Sequence, residues 1–328
     1  MEIKSAKLID KPLVSVIIPS FNRPDTIGKT IDAILEQVCN FKFEIIIGDD
    51  CSISSTREIL LRYQEECPEN FVLYMHENNI GLGANWALCV QQCRGKYVAG
   101  CDNDDYWHSK TKLQDQIDFL EEHLDYGVVH TNYRTLNRES GLLNEIEIHD
   151  SNYSEKLILE IFKGNFKCCN SSVVYRKSVL DKYVNLNDYI NLKFTLQDWN
   201  TWILIANFTQ FKCLPISTTT VGVETESITR PKEYEQILVR FEREKFLYKY
   251  LCDLFPHDLI YDEKNYDRYV YHLLLNLAYR RCDAQVAKKY SRLLFGMRNK
   301  SFKSICGLSS IPFYLFYFAQ KLKAKVYH

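Results

Sequence analysis

The sequence predicts a doubly wound α/β domain followed by a helical carboxyl-terminal region. In the first half of the chain, short runs of β-branched and aromatic residues alternate with segments of helical spacing. Strands that are apolar on both faces and separated by helices form a parallel sheet that helices cover on each side. After residue 231 the strand signals end and long helical periodicities follow.

The strands and helices follow in a regular order. Before residue 102 we predict strands in "VSVIIP", "FEIIIGD", "FVLYM" and "YVAGC" (14–19, 43–49, 71–75 and 97–101). The spacing of Ile27, Ile31 and Ile34 indicates a helix between the first two. From residue 126 we predict that strands extend this sheet as a mixed sheet, in "GVVHTNY", "SSVVYR" and "FKCLPISTTTV". Helices are predicted in "WNTWILIANF", "KEYEQILVRFEREKFLYKYL" and "RYVYHLLLNLAYRR".

Length and composition exclude several classes of protein. The chain has 328 residues, enough for one large domain and a smaller one, and a formal net charge of −1, which gives no overall attraction to nucleic acid. No apolar stretch reaches the ~18 to 20 residues that cross a bilayer. The twelve cysteines lack metal-ligand spacing and follow no signal peptide, so we expect reduced thiols in a cytoplasmic protein.

Three polar segments follow predicted strands directly. They are "SFNRPD" after the first strand, "DDCS" after the second and "DNDD" after the fourth. In open α/β sheets, ligands bind outside the carboxyl ends of the strands. We therefore expect the three segments to form one ligand site.

The segment "DNDD" places Asp102, Asp104 and Asp105 within four positions. Such carboxylates raise one another's proton affinity unless a cation lies among them, so we expect a divalent metal here. The turn "PSFNRPD" contains no glycine, which excludes the close approach of a pyrophosphate that dinucleotide-binding proteins make there. Hard divalent cations bind carboxylates and bridge to phosphates, which points to a nucleotide diphosphate.

A family resemblance rests on five motifs in order. The segments are "VSVIIPSFNR", "EIIIGDDCS", "NNIGLGANW", "GKYVAGCDNDDYW" and "LQDWNTW". Together they resemble a family-two glycosyltransferase of the GT-A fold (a Rossmann-like nucleotide-diphospho-sugar transferase fold) over roughly residues 13–230. The segment "DDYW" followed by "KLQDQIDFLEEH" is similar to one bacterial branch. The resemblance implies a catalytic domain over 1–231, with a nucleotide-binding half at 13–105 and an acceptor half at 106–231, and a helical region over 232–328.

The resemblance also implies roles for individual residues. Nucleotide-pocket and base-binding positions of the family correspond to Pro19, Phe21, Asn22 and Asp49, the last contacting the base, usually uracil. The family's DxD motif at the donor diphosphate corresponds to Asp102, Asn103 and Asp104. Asp104 corresponds to the last aspartate of that motif, which in the family coordinates Mn²⁺ or Mg²⁺. The catalytic base of inverting members corresponds to Asp198.

Some of these residues have structural alternatives. Asp198 precedes an apolar helix, where aspartate is most often an N-cap, and Asp49 or Asp50 could cap the next segment. For Trp107 we expect a packing role more than stacking on a sugar. For His130 we expect a position in the core more than a role as a ligand.

The chain departs from the family pattern in two places. Gln197 stands where many members have an acidic residue, directly before the position of the catalytic base, Asp198. Val221 and Gly222 replace a Tyr-Arg pair, and Glu224 stands near a position where members often have histidine.

The predicted activity is inverting, metal-dependent transfer of a sugar from a nucleotide donor, with a UDP-sugar expected. The acceptor would be a hydroxyl of a glycan or lipid-linked saccharide in bacterial surface polysaccharide synthesis. Two other hypotheses stay open: a metal-dependent phosphohydrolase, and a catalytically silent sugar-nucleotide-binding or assembly subunit. No nucleic acid partner is expected.

The carboxyl terminus is basic. No acidic residue follows Asp283, and lysines and arginines flank "IPFYLFYFA" at 311–319. Such a pattern suits peripheral docking of residues 301–328 to an anionic membrane, here its inner face. The alternative is a terminal helix packed on the core with a solvated basic face.

Overall fold

The computed structural model describes residues 2–4, 9–148, 157–192, 194, 196–223, 233–298 and 301–317. The chain divides into two compact units, Met1–Glu224 and Thr225–His328. Glu224 and the end of the basic terminus, residues 318–328, lie outside the described residues.

The first unit is built on a parallel sheet. Its strands are β2 (Val14–Ser20), β3 (Phe43–Asp49), β4 (Phe71–Met75) and β5 (Tyr97–Gly100), which confirms the four predicted strands. The connecting helices are α1 (Ile27–Leu35), α2 (Ser54–Glu66) and α3 (Leu82–Gln91). Parallel pairing in the order β4-β3-β2-β5 brings the carboxyl ends of β3, β2 and β5 side by side.

The remaining strands extend this sheet as a mixed sheet, as predicted. They are β1 (Glu2–Lys4), β6 (Tyr106–Trp107), β7 (Tyr126–Asn137), β8 (Leu143–Ile146), β9 (Val174–Arg176) and β10 (Gln210–Val223). The order is β1-β4-β3-β2-β5-β9-β7-β10-β6, and β8 pairs with β7. Helices α4 (Lys112–Glu122), α5 (Leu157–Phe162), α6 (Lys177–Tyr183), α7 (Leu186–Asn191) and α8 (Gln197–Ala206) complete the unit.

The core of this unit explains why the strands form. Every residue of β2 and β3 is buried, and α1 packs Ile27, Ile31 and Ile34 against the sheet. Burial of each such side chain contributes roughly 1.5–3 kcal/mol. The apolar runs therefore fix the sheet that carries the polar segments.

A buried polar contact aligns the amino-terminal ends of the central strands. Glu44 of β3 is fully buried and accepts hydrogen bonds from Ser15 Oγ (2.6 Å) and Arg94 Nε (2.8 Å). The amide of Gly95 donates to Ser15 Oγ at 2.9 Å. Because Gly95 has no side chain, the chain entering β5 lies directly against β2.

The second unit is helical, as predicted. It comprises α9 (Tyr234–Leu254), α10 (Glu263–Arg281), α11 (Ala284–Gly296), α12 (Phe302–Cys306) and a helical stretch over 310–317. Asp262 and Asp283 cap α10 and α11 by accepting from backbone amides. Phe313 is fully buried against Tyr279, with ring centroids 4.6 Å apart. In the described part of the chain, no helix is both long and apolar enough to cross a bilayer.

We predict that Gly95→Ala destabilises the first unit by about 1–3 kcal/mol, because a Cβ there would lie 2.6–2.9 Å from backbone atoms of Val14, Ser15 and Tyr97. The matched control is Gly28→Ala in α1, where the nearest atom is 3.5 Å away and alanine favours the helix by roughly 0.5–1 kcal/mol. Urea unfolding followed by circular dichroism measures both. Equal midpoints for the two variants would contradict the close approach at Gly95.

Candidate active site

The three polar segments converge at the adjacent ends of β3, β2 and β5, as the parallel topology predicts. The loop after β2 contacts the loop after β3, because the amide of Asn22 donates to Ser52 Oγ at 2.9 Å. It also contacts the acidic loop after β5, where Asn103 Nδ2 donates to Ser20 Oγ at 3.4 Å. These contacts place the segments in one site.

The loop after β2 has a fixed backbone. Asn22 has φ of 50°, in the left-handed region that asparagine tolerates, and its Oδ1 accepts from the amide of Ile53 at 2.8 Å. Pro19 is buried at the end of β2, whereas Phe21 is 43% exposed. Phe21 therefore offers an aromatic surface at the edge of the site.

Asp49 is the buried carboxylate at the end of β3. Its Oδ2 accepts from Arg57 Nε at 2.7 Å and from the amide of Ser52 at 3.3 Å. Its Oδ1 is buried and has no hydrogen-bond partner among the described residues. Leaving a buried acceptor unsatisfied is costly, so this oxygen is an acceptor for which the described residues supply no donor.

Asp50 has a different role from its neighbour. Its two oxygens accept from the amides of Ile80 (2.6 Å) and Gly81 (3.0 Å), so it holds the loop before α3. Capping of α2 by Asp50 is therefore not what the structure shows, since the N-cap residue of that helix is Ile53.

The backbone of the acidic loop, residues 102–105, is held from three sides. The carbonyl of Asn103 accepts from Thr26 Oγ1 (2.8 Å), and that of Asp105 accepts from Thr30 Oγ1 (2.6 Å). Arg138 Nη2 donates to the carbonyl of Asp104. Helix α1 and the end of β7 thus fix the direction in which the loop presents its side chains.

The expectation that all three carboxylates surround a cation is wrong for Asp105. It is buried, and its oxygens accept from Ser171 Oγ (2.6 Å) and from the amide of Gly222 (3.0 Å). Burial, and then the charges of Asp102 and Asp104, raise the pKa of Asp105 well above its ordinary value. Asp105 anchors the loop inside the protein.

Asp102 and Asp104 are only partly buried. Asp102 Oδ1 accepts from Asn170 Nδ2 at 2.9 Å, and Asp104 Oδ2 lies 3.3 Å from Arg23 Nη2. Burial, then the charge of Asp104, raises the pKa of Asp102 to about 7, while the hydrogen bond from Asn170 opposes this. The pair is under electrostatic stress that a cation would relieve.

Asp198 lies in the first turn of α8, after the N-cap residue Leu196. Its Oδ1 accepts from the amide of Trp199 at 2.7 Å, so it contacts a first-turn amide without being the N-cap. Burial raises the pKa of Asp198, and its charge is one of the causes that raise the pKa of Asp102. The charge of Asp198 therefore acts on Asp102, although β5 and α8 lie far apart in sequence.

The residues present fit a divalent cation held jointly by protein and phosphate. Asp104 offers a hard oxygen ligand, and Asp102 adds negative charge beside it. Among the described residues, no group of three or more candidate ligand side chains is preassembled. This donor set suits Mn²⁺ or Mg²⁺, which bind through one or two carboxylates plus substrate phosphates.

The structure confirms that Trp107 and His130 are packing residues. It also shows what occupies the space at Gly222, one of the two positions of the missing Tyr-Arg pair. Trp107 is buried and donates to the carbonyl of Ser171 at 2.7 Å, and His130 is fully buried in β7. At Gly222, a Cβ would lie 2.1 Å from Arg138 Nη2. Arg138 therefore packs where a residue with a side chain would stand.

Sequence reasoning missed several residues of the site. Asn170 and Ser171 contact the acidic loop from 66 to 69 positions away, which no local motif signals. Arg57 contacts Asp49 because α2 folds back over the end of β3. Arg23, inside the quoted "SFNRPD", could have been noticed as a cation beside the predicted pocket.

Comparisons with known sequences agree with this geometry. A family profile, Glycosyl transferase family 2, matches residues 15–184, just over half of the chain. Over 112 residues the chain is 42% identical to "Putative teichuronic acid biosynthesis glycosyltransferase TuaG" of Bacillus subtilis (strain 168), covering 34% of this chain and 43% of that protein. Over 143 residues it is 30% identical to chondroitin synthase of Escherichia coli, covering 44% of this chain and 20% of the relative. The chain thus spans less than half the length of these relatives.

Solved structures give the fold. Residues 1–349 of S. aureus TarS in complex with UDP-GlcNAc are similar with a TM-score of 0.55 and 19% identity, over 85% of this chain and 80% of that TarS chain. The same part of TarS in complex with UDP has a TM-score of 0.54 and 19% identity, over 90% of this chain and 80% of that TarS chain. The GT-A prediction is confirmed: the chain belongs to glycosyl transferase family 2 and is a glycosyltransferase of the GT-A fold.

Proposed function

We propose that this glycosyltransferase is metal-dependent and inverting, and that it moves a sugar from a UDP-sugar to a hydroxyl of a growing glycan. One observation carries the proposal. Two carboxylates, Asp102 and Asp104, lie in the loop after β5, and burial together with the charge of Asp104 raises the pKa of Asp102 to about 7. The charge of a third carboxylate, Asp198, contributes to the same shift. This arrangement offers a cation site for a departing diphosphate and a base for the acceptor.

Asp49 is proposed to bind the nucleotide base. Its partnerless Oδ1 accepts an N–H, and uracil offers one at N3 between two carbonyl oxygens. Arg57, held on the other oxygen of Asp49, adds a positive charge at the same place. The complexes of TarS with UDP and UDP-GlcNAc support a uridine donor, and the exposed ring of Phe21 supplies a surface for the nucleotide.

Asp104 is proposed to hold Mn²⁺ or Mg²⁺ against the donor diphosphate. The cation supplies Lewis-acid stabilisation of the charge that develops on the leaving nucleoside diphosphate. Asp102 and Asn103 belong to the same loop, which is held by hydrogen bonds from the start of α1 and from Arg138. A preorganised loop needs no rearrangement as the charge develops.

Asp198 is proposed to be the general base. A base must be ionised to accept the acceptor's hydroxyl proton, and a raised pKa makes it a stronger proton acceptor. The helix amide that donates to Oδ1 orients the carboxylate. A single in-line displacement assisted by one base inverts the configuration at the anomeric carbon.

The acceptor is proposed to be a polysaccharide or lipid-linked saccharide, acting at the inner face of the bacterial membrane. The names of the relatives, teichuronic acid biosynthesis and chondroitin synthase, support a polymer of sugars. Ile311 (76%) and Leu315 (68%) are exposed, in a segment that basic residues flank in the sequence, and this supports peripheral contact. Phe313, in contrast, belongs to the core of the second unit, so each interpretation of this segment accounts for part of it.

We predict that UDP binding requires both a divalent cation and Asp104. Titration calorimetry of UDP with Mn²⁺, with EDTA, and with Asp104→Ala should give strong binding only in the first case, because a diphosphate otherwise meets uncompensated carboxylates. Asp181→Ala is the matched control, since Asp181 pairs with Lys177 at 2.8 Å on the surface of α6. Equal UDP affinity with EDTA would contradict the metal role of Asp104.

We predict that Asp198→Asn lowers sugar transfer by about 10²–10⁴-fold while UDP binding is retained, since the amide keeps an oxygen for Trp199 but cannot accept the proton. Because burial raises the pKa of Asp198, wild-type kcat should fall in acid at a pH above the range of an exposed aspartate, about 4. Transfer is measured from labelled UDP-sugars. Normal transfer by the variant would return Asp198 to a structural role, and wild-type binding without transfer would favour a silent subunit.

We predict that Ile311→Ser combined with Leu315→Ser weakens binding to vesicles of phosphatidylcholine and phosphatidylglycerol by about tenfold or more, through lost apolar insertion. These changes spare Phe313, which deletion of the terminus would remove from the core. Ile260→Ser, at a side chain 86% exposed elsewhere in the unit, is the control. Unchanged co-sedimentation of the double variant would contradict membrane docking through this segment.

A further inference from the structure

Arg23 forms an ion pair with Asp104, the proposed metal ligand. Its guanidinium Nη2 lies 3.3 Å from Asp104 Oδ2, and the two side chains are 31% and 24% exposed. Its backbone is fixed, because the carbonyl of Arg23 accepts from the amides of Thr26 and Ile27. These hydrogen bonds hold the backbone at the position from which the side chain of Arg23 reaches Asp104.

Two other arginines near the site, Arg138 and Arg57, have different partners from that of Arg23. Arg138 donates to the carbonyl of Asp104 and fills the space beside Gly222. Arg57 donates to Asp49 and to the carbonyl of His76. Arg23 pairs instead with the carboxylate that faces the donor, through a partly exposed contact of the kind that typically contributes ~0–1 kcal/mol. A divalent cation carrying a diphosphate can displace such a pair.

We propose that Arg23 exchanges partners when the donor binds: it neutralises Asp104 in the donor-free protein and then binds the diphosphate oxygens once the cation takes its place. This inference rests on the proposed function. A guanidinium binds phosphate through paired N–H donors, and the loop after β2 already lies at the donor end of the sheet. Arg23 thus makes cation and nucleotide bind together, because the metal alone must compete with it.

The proposal predicts opposite effects of one substitution. Arg23→Gln should bind Mn²⁺ alone about 3- to 10-fold more tightly, since a competing charge is removed. It should bind UDP in saturating Mn²⁺ about 10- to 100-fold more weakly, since a charge-assisted hydrogen bond is lost. Arg23→Lys should restore part of the UDP affinity. Electron paramagnetic resonance of free Mn²⁺ and calorimetry of UDP measure the two affinities.

Arg62→Gln is the matched control, because Arg62 forms an exposed pair with Glu66 at 3.9 Å. It should change neither affinity. If UDP binding depends on Mn²⁺ and Asp104, but Arg23→Gln leaves both affinities unchanged or weakens both together, the partner exchange is overturned and the proposed function stands. If wild-type UDP binding is independent of Mn²⁺ and of Asp104, both proposals fall.

Discussion

Repulsion of Asp102 by the charges of Asp104 and Asp198 is the constraint on which the electrostatics of this site depend. Carboxylates brought together in a partly buried place raise one another's pKa, as Asp102 shows. Each carboxylate also has a contact that favours its ionised form. Asp102 accepts from the side-chain amide of Asn170, Asp104 pairs with the guanidinium of Arg23, and Asp198 accepts from the backbone amide of Trp199. A cation held at this loop would oppose the rise in the pKa of Asp102, since a nearby opposite charge favours the ionised carboxylate.

The site can hold this charge because its backbone is rigid. Asp105, although part of the same acidic run, is buried and ties the loop to Ser171 and to Gly222 of β10. Ser171 Oγ also accepts from the amide of Asp102 at 2.9 Å, so a single hydroxyl contacts both ends of the loop. One aspartate therefore fixes the loop from within, while its neighbours Asp102 and Asp104 are only partly buried.

The sequence predicted those features that follow from hydrophobic pattern and sheet topology. Apolar runs such as 43–49 identify buried strands, and parallel pairing then requires the segments after them to meet. The pattern could not show which way Asp105 turns, since a loop has no fixed periodicity. Nor could it place Asn170 beside Asp102, because that contact depends on β9 inserting antiparallel next to β5.

The structure accounts for one departure from the family pattern near the end of β10, the glycine at position 222. Gly222 replaces a residue with a side chain, and its amide binds Asp105 while its open face accommodates the guanidinium of Arg138. Arg138 comes from the end of β7, which pairs in parallel with β10. A positive charge therefore stands beside the acidic loop even though the local sequence of β10 lacks an arginine. That guanidinium donates to the carbonyl of Asp104 and so holds the loop, while Arg23, on the loop after β2, pairs with the carboxylate of the same residue.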